Sequence, residues 1–406
     1  MNELLKIEKL DHFGRGIAKI NNVPVFIRNS IPGDIVEVSI TKEKRKYKEG
    51  TIKRLVETSK LRVNNPCKYN DQCGGCALLN MSYEASLKYK ETRLKEILDK
   101  FGGSNFNIND IVYDNNFNYR NKIVLHIKDK QVGLYEHNSK NIIEISECLL
   151  VDNKINCIIR RLKEFIKIQD HNLEEIMIRV SEENILMDIK GQIDEQLLMT
   201  EFNDVSCMYL NNKLLTKNKN IIMSLCNYKF TVSPKSFFQI NLKIAEKMFN
   251  YIGSIIKENN YKKVLDLYCG VGVIGIIISN FTEEVIGIET VEDAIKNAEA
   301  NKKINNINNI SFICGKVEDY INKFKNNDLI IVDPPRKGLD QKTIDNILRI
   351  SPKSIIYVSC DAVTLARDIR LLSNNYQLKE VTPFDMFPRT YHVECISVLE
   401  RRNVEK

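Results

Sequence analysis

The pattern that most constrains the fold is an alternation of apolar strands and helices that starts near residue 241. Its opening unit, residues 264–275, reads as a strand, a glycine-rich turn and an apolar helix. Such units are typical of a doubly wound parallel sheet, whose strands bring their carboxyl ends to one edge. The pattern therefore predicts an α/β domain over residues 231–406, with its functional site at that edge.

The glycine-rich turn has the form D-x-x-x-G-x-G, made by Asp266, Gly270 and Gly272. Glycines let the backbone approach a ligand closely. The next strand ends at Glu289, 23 residues after Asp266, where a carboxylate can accept both ribose hydroxyls. A purely structural turn is the alternative. The motif resembles that of class I S-adenosylmethionine-dependent methyltransferases, which implies a Rossmann-like domain that binds S-adenosylmethionine.

A further strand leads into a D-P-P-R sequence, from Asp333 to Arg336. The motif of amino-group methyltransferases at this strand end is D-P-P-Y or D-P-P-F, because an aromatic ring stacks on their target. Enzymes that methylate cytosine C5 instead carry a nucleophilic cysteine after the proline. Arg336 stands in the aromatic position and no cysteine is present, so both interpretations are weakened.

Two side chains near the C-terminus are candidates for catalysis. Cys360 ends an apolar run and precedes a helix, whose N-terminus would favour a thiolate, although Asp361 is expected to raise the pKa of the thiol. Glu394 lies in a closing strand, where a buried carboxylate is costly without a partner or a function, and strand alternation puts His392 on its face. The alternatives are a core cysteine and a salt-bridged glutamate.

The N-terminal part of the chain is basic. The net charge is +7, and residues 1–60 contain 13 Lys and Arg against 8 Asp and Glu. Such an end indicates a polyanion partner or simply a solvated face. Short strands with Gly and Pro-Gly turns over residues 1–58 predict a small barrel, and residues 42–48 predict a basic loop with one aromatic. The segment resembles a TRAM domain, an OB-like RNA-binding module.

Three clustered cysteines, Cys67, Cys73 and Cys76, follow in a C-x5-C-x2-C pattern. A metal centre of this type needs four soft ligands, and Cys148 could be the fourth. An iron–sulfur cluster, a zinc ion and three unrelated cysteines are the alternatives. The remaining cysteines other than Cys360 are interpreted as structural.

Residues 59–230 are expected to form a central region with antiparallel strands, which include one at residues 209–215, and with helices at residues 82–100 and 153–168. The longest apolar run, residues 273–278, is too short to span a bilayer, and the N-terminus does not have the form of a signal peptide. Hydrophobic residues make up 43% of the chain and charged residues 28%. The protein is therefore expected in the cytoplasm, with no membrane partner and no obligate protein partner evident.

A thiol and a carboxylate are together what methylation at a carbon atom of uracil requires. Uracil C5 accepts a methyl group only after a thiolate has added to C6, and a base must then remove the C5 proton. Cys360 would be the nucleophile and Glu394 the base.

Four motifs in order resemble those of the RNA 5-methyluridine methyltransferase family: the glycine-rich turn, the D-P-P-R sequence, the region of Cys360, and the P-x-T-x-H-x-E sequence that ends at Glu394. The TRAM-like segment and the four cysteines are similar to those of the branch of this family that methylates uracil in 23S ribosomal RNA. The resemblance implies a [4Fe-4S] cluster on those cysteines. It also implies cofactor contacts by Gln239, Tyr268, Glu289 and Asp333.

Two other functions stay open. The same chemistry could act on the T-loop uridine of tRNA. Alternatively, the chain could be an iron–sulfur RNA-binding protein that does not catalyse a reaction.

Overall fold

The computed structural model describes residues 2–101, 106–324 and 326–402. Six strands form the N-terminal sheet: β1 (Asn2–Lys6), β2 (Lys9–Leu10), β3 (Gly16–Ile20), β4 (Val23–Ile27), β5 (Ile35–Lys44) and β6 (Tyr47–Glu57). Their order is β1-β5-β6-β4-β3-β2, and only the β4–β6 pair is parallel. Alternate side chains such as Val25, Ile27, Val36 and Val38 fill one apolar core, as strand geometry requires.

The basic loop predicted at residues 42–48 is not a loop. Strands β5 and β6 continue through it, and only residues 45–46 form the turn. The cross-strand pairs Lys42↔Glu49 and Glu43↔Lys48 put opposite charges side by side, and the Lys48 and Glu43 side chains are 2.7 Å apart. These pairs explain why a charged segment extends the hairpin.

The central region begins with a helix and a short strand, α1 (Tyr83–Phe101) and β7 (Asn107–Ile108). Its own elements are β8 (Lys122–Lys128), β9 (Gln131–Tyr135), β10 (Ile142–Glu144), α2 (Asn153–Ile168), β11 (Asn172–Val180), β12 (Ile185–Gln192), α3 (Glu195–Glu201), β13 (Cys207–Leu210), β14 (Lys213–Leu214), β15 (Ile221–Leu225) and β16 (Tyr228–Val232). Strands β8 to β14 form a mixed sheet, parallel only between β12 and β13. The single strand predicted at residues 209–215 is a hairpin, because Asn211 and Asn212 have positive φ and form a tight turn.

The C-terminal part is a doubly wound sheet, as predicted. Its elements are α4 (Leu242–Glu258), β17 (Lys263–Leu267), α5 (Val273–Ile278), β18 (Glu284–Glu289), α6 (Glu292–Ile304), β19 (Ile310–Cys314), α7 (Val317–Tyr320), β20 (Leu329–Val332), α8 (Gln341–Ile350), β21 (Ser354–Ser359), α9 (Ala362–Leu372), β22 (Tyr376–Phe384) and β23 (Glu394–Arg401). The order is β19-β18-β17-β20-β21-β23-β22-β7, and β23 is antiparallel to both neighbours. Strand β7, which precedes the expected boundary at residue 230, therefore belongs to this sheet. No helix in the described parts of the chain is long and apolar enough to cross a membrane.

Helix α1 is fixed to the loop between β22 and β23 by a buried ion pair. Lys90 Nζ lies 2.5 Å from Asp385 Oδ1, and both side chains are 1% exposed. Lys90 also donates to the Phe387 carbonyl at 3.1 Å, and Tyr83 Oη donates to Asp385 Oδ2 at 2.7 Å. These bonds hold the start of the loop that leads to Glu394.

Replacing Lys90 with Met is expected to lower the free energy of unfolding by about 3–5 kcal/mol, because Asp385 would remain as an uncompensated buried charge. Urea unfolding followed by circular dichroism measures the change. Lys88→Met is the matched control, since Lys88 is 79% exposed and paired with Glu91, and it should cost less than about 1 kcal/mol. Equal losses in both variants would contradict the anchoring role.

Candidate active site

The carboxyl ends of four neighbouring parallel strands bring together most of the predicted site residues. Strand β18 ends at Glu289, Asp333 follows β20, and Cys360 follows β21. Between β18 and β20 lies β17, which leads into the turn at Gly270. Residues far apart in the sequence thus meet at one edge, where open α/β sheets bind their ligands.

The turn after β17 has the backbone shape of a ligand cradle. Gly270 has a φ of 54°, and a Cβ added there would find no atom of the described residues within 4 Å. Gly272 is also left-handed, and a Cβ would approach Phe312 to 2.6 Å. Tyr268 adopts a φ of 64°, which is unusual for a bulky residue and typical of functional sites. Its hydroxyl lies 3.4 Å from Thr343 Oγ1.

Asp266 supports this turn from below. Its side chain is fully buried and accepts a hydrogen bond from the Gly275 amide at 3.0 Å. Burial raises its pKa to about 8, and its Oδ1 has no hydrogen-bond partner among the described residues. Asp266 is therefore tied to the start of α5, which follows the glycine-rich turn.

Two acidic residues lie at the ends of the strands on either side of β17, beside the cradle. Glu289 accepts hydrogen bonds from the amides of Gly270, at 3.2 Å, and Val291, at 2.9 Å. Burial raises the pKa of Asp333 to about 7. A concentration of carboxylates beside an open glycine turn suits a ligand that carries both positive charge and a ribose, as S-adenosylmethionine does.

Pairing of β21 with β23 sets Cys360 beside Glu394. Ser359 and Cys395 are partners in the register, so the residue after β21 and the first residue of β23 are neighbours. Glu394 is 8% exposed, and Cys360 is half-buried. His392 precedes β23, so the expected strand alternation between His392 and Glu394 does not apply.

Both candidate catalytic groups are held in their protonated forms. Burial, followed by the Glu394 and Asp333 charges, raises the pKa of Cys360 to about 11, and Arg336 opposes this shift. Burial and Asp333 raise the pKa of Glu394 well above its usual range, again against Arg336. Arg336 is thus a positive charge that favours ionisation of both groups.

Asp361 has a different part from the one expected. It is the N-cap of α9, and its Oδ1 accepts from the Val363 and Thr364 amides at 3.0 Å each. The helix N-terminus is therefore already used by a carboxylate and is not free to stabilise the Cys360 thiolate. Burial and the Glu394 carboxylate are the largest causes of the raised pKa of Cys360.

Gln239 lies between the central region and the catalytic sheet. Its carbonyl accepts from Asn121 Nδ2 at 2.9 Å, and the Asn121 amide donates to the Ile240 carbonyl at 3.0 Å. Sequence reasoning missed Asn121, since an asparagine before a strand carries no distinctive signal.

Arg389 is a second residue that the sequence did not reveal. Its side chain is 8% exposed, its φ is 65°, and its Nη1 donates to the Met81 carbonyl at 2.9 Å. Its own carbonyl accepts from the Ala77 and Leu78 amides at 3.1 and 3.0 Å. Only its position in the P-x-T-x-H-x-E sequence could have drawn attention to it.

The four clustered cysteines, Cys67, Cys73, Cys76 and Cys148, line one cavity of about 320 Å³. Burial and the three other thiols raise the pKa of Cys76. Among the described residues, no three Cys, His, Asp or Glu side chains are arranged to hold a single metal ion. Four thiols around one cavity are nevertheless the soft donor set that a metal centre takes.

Comparison with known proteins gives the family. The model of the tRNA (Uracil-5-)-methyltransferase family matches residues 205–402, and that of the TRAM domain matches residues 3–53. An uncharacterized RNA methyltransferase from Clostridium tetani is 33% identical over 95% of this chain and 93% of its own length. The chain belongs to the RNA (uracil-5)-methyltransferase family.

A solved structure agrees over nearly the whole chain. The tRNA (uracil-54, C5)-methyltransferase of Pyrococcus abyssi, in complex with S-adenosyl-L-homocysteine, has a TM-score of 0.79 and is 27% identical, covering 98% of this chain and 100% of its own. An uncharacterized RNA methyltransferase from Staphylococcus aureus is 32% identical, over 96% of both chains. As a member of this family, the protein is an S-adenosylmethionine-dependent enzyme that acts on RNA. Membership of an enzyme family contradicts the hypothesis of an RNA-binding protein that does not catalyse a reaction.

In this methyltransferase, the pKa of Cys360 can be tested without RNA. The rate of its alkylation by iodoacetamide should rise about tenfold per pH unit between pH 7 and 10, since only the thiolate reacts. Peptide mass spectrometry measures the rate. The urea-unfolded protein is the control, in which the rate should level off near the ordinary pKa of 9.0. A plateau below pH 9 in the folded enzyme would contradict the assigned environment.

Proposed function

We propose that the enzyme methylates uracil C5 in 23S ribosomal RNA, with Cys360 as nucleophile and Glu394 as general base. The observation that carries this proposal is the β21–β23 register, in which Ser359 pairs with Cys395. It makes a thiol and a buried carboxylate neighbours beside the acidic cradle. Few other reactions need both groups at a methyl-donor site.

In the proposed reaction, uracil C5 exchanges a proton for a methyl group. The Cys360 thiol loses its proton to solvent, and the sulfur bonds to uracil C6 while the C5–C6 double bond opens, which makes C5 nucleophilic. C5 would take the methyl group from the bound methyl donor, which would leave as a neutral thioether. The Glu394 carboxylate then removes the C5 proton, the double bond forms again, and the C–S bond breaks to release the Cys360 thiolate. Glu394 must be ionised by then, and Arg336 favours that form.

S-adenosylmethionine, when bound, supplies the methyl group. The residues proposed to contact it are Gln239, Tyr268, Gly270, Gly272, Glu289 and Asp333. Asp266 is proposed to act indirectly, because its bond to the Gly275 amide shapes the turn. The uracil must leave its stack to reach Cys360, at a cost of about 2–4 kcal/mol for a base in a loop.

The choice of 23S ribosomal RNA rests on the combination of the TRAM domain with the four cysteines. The T-loop uridine of tRNA is the second candidate, since the similar Pyrococcus abyssi enzyme is a tRNA methyltransferase. That similarity covers 98% of this chain, so the N-terminal sheet alone does not discriminate between the two RNAs. Localisation in the cytoplasm, where both RNAs occur, remains a prediction.

Transcripts that contain 5-fluorouridine test the chemistry and the target together. Fluorine cannot leave as a proton, so the 23S transcript should remain covalently attached to Cys360, and a tRNA transcript should not. Denaturing gels and peptide mass spectrometry detect the adduct, and Cys360→Ala should form none. An adduct with tRNA alone would identify tRNA as the target, and binding without any adduct would refute the mechanism.

On unmodified 23S RNA, Glu394→Gln should accumulate a methylated covalent intermediate, because elimination needs the base.

We also propose that Cys67, Cys73, Cys76 and Cys148 hold a [4Fe-4S] cluster. Their shared cavity and the mutual influence of their thiols support this assignment. A cluster there would link the loop of residues 67–76 to Cys148, whose amide already donates to Asn156 Oδ1 of α2 at 2.8 Å. Its part would be to fix the central region.

Iron and acid-labile sulfide analysis of anaerobically purified protein should give about four of each per chain. Cys148→Ala should lose most of the iron. Cys157→Ala is the control, since Cys157 is an exposed cysteine of α2 outside the cavity. Zinc in place of iron, or iron retained in Cys148→Ala, would refute the assignment.

A further inference from the structure

Five aromatic rings form a continuous row from the N-terminal sheet to the loop between β22 and β23, residues 385–393, which is here called the catalytic loop because it leads to Glu394. Ring centroids are 3.9 Å apart for His12 and Phe13, 5.6 Å for Phe13 and Tyr391, 4.1 Å for Tyr391 and His392, and 5.8 Å for His392 and Phe387. Glu394 follows His392 by two residues. The row, here called the aromatic row, therefore runs from the TRAM domain to the loop that leads to Glu394.

The outer rings of the aromatic row are not part of a core. Phe13 is 44% exposed, His12 is exposed, and Tyr391 and His392 are half-buried. The turn that carries Phe13 is nevertheless rigid, because Asp11 Oδ1 accepts from the Phe13 and Arg15 amides at 3.0 and 2.8 Å. An exposed ring on a fixed turn loses little entropy when a ligand binds.

Positive charges accompany the aromatic row. The Arg15 guanidinium lies 5.4 Å from the centre of the Phe13 ring and is paired with Asp11 Oδ2 at 2.8 Å, and Arg93 Nη1 donates to the Tyr391 carbonyl at 3.0 Å. Burial, Arg336 and Arg93 lower the pKa of His392 to about 4, so this ring is neutral at physiological pH. Exposed aromatics interleaved with arginines are typical of surfaces that bind single-stranded nucleic acid.

We propose that unpaired nucleotides beside the target uridine stack on Phe13 and Tyr391, with their phosphates near Arg15 and Arg93. This inference rests on the proposed function, since it assumes that RNA enters the site of Cys360. Single-stranded RNA is the expected occupant of the aromatic row, because the row leads to the loop before Glu394 and has Arg15 and Arg93 beside it. It also gives the TRAM domain a defined task, which is to extend the base-binding surface of the catalytic loop.

The probe is a single-stranded RNA of about 12 nucleotides with 2-aminopurine on either side of one uridine, a length that one such surface can hold. Full-length enzyme should quench the 2-aminopurine fluorescence through stacking. Phe13→Leu and Tyr391→Leu should each weaken binding about tenfold and reduce the quenching, since one stacking contact is lost. Tyr391→Phe keeps the ring and should bind like the parent enzyme.

Phe281→Leu is the matched control, because Phe281 is 40% exposed and precedes β18, at the opposite edge of the sheet. It should leave binding and quenching unchanged. Undiminished quenching in both Phe13→Leu and Tyr391→Leu would overturn the inference. The 5-fluorouridine adduct of the parent enzyme separates the two proposals. An adduct with unchanged quenching in the variants rejects the aromatic row alone, whereas no adduct on any RNA rejects the proposed function.

Discussion

Insertion of β23 between β21 and β22 is the constraint on which the candidate site depends. Strand side chains alternate between faces, so a slip of one residue would move Glu394 to the other side of the sheet. Six residue pairs hold the β21–β23 register, from Ser354↔Glu400 to Ser359↔Cys395. On the other side, Phe384 pairs with Glu394. The loop between Phe384 and Glu394 must therefore turn back at the sheet edge, and the Lys90–Asp385 pair and Arg389 hold it there.

In the structure without substrate, the electrostatics of the site favour the protonated forms of Cys360 and Glu394. The pKa of Cys360 is about 11 and that of Asp333 about 7, and Glu394 also retains its proton. Burial is the first cause in all three cases, so the same water exclusion that strengthens interactions in the site suppresses its nucleophile and its base. Ionisation must be favoured by added positive charge. Arg336 supplies part of it, and a cationic methyl donor beside Asp333 would supply more.

Local patterns predicted the parts of the fold that local physics determines. The strand, glycine turn and helix at residues 264–275 were correct, because backbone geometry and apolar periodicity specify them. The prediction of a loop at residues 42–48 was wrong, because the turn at Arg45 and Lys46 contains neither glycine nor proline and the charge pairs that extend the hairpin form only across its two strands. Asp361 was expected to act on its neighbour's thiol, whereas its carboxylate reaches forward to cap α9. Pairing of β7 with β22 joins residues more than 270 apart, as in Ile108↔Val381, and no local pattern can indicate it.

Local patterns also could not indicate Asn121 and Arg389, because both residues form hydrogen bonds between segments that are distant in the sequence. The loop that contains Cys76 continues into Ala77 and Leu78, whose amides both donate to the Arg389 carbonyl. Five residues later the chain reaches Glu394. The cysteine loop is therefore hydrogen-bonded to the loop that leads to the candidate base, although none of the four clustered cysteines lies on β23. Because Arg389 adopts a left-handed φ that a non-glycine residue rarely accepts, the surrounding bonds to Met81 and Asn116 must outweigh that cost. The hydrogen bonds from Ala77 and Leu78 to Arg389 thus connect the segment after Cys76 to the loop between β22 and β23.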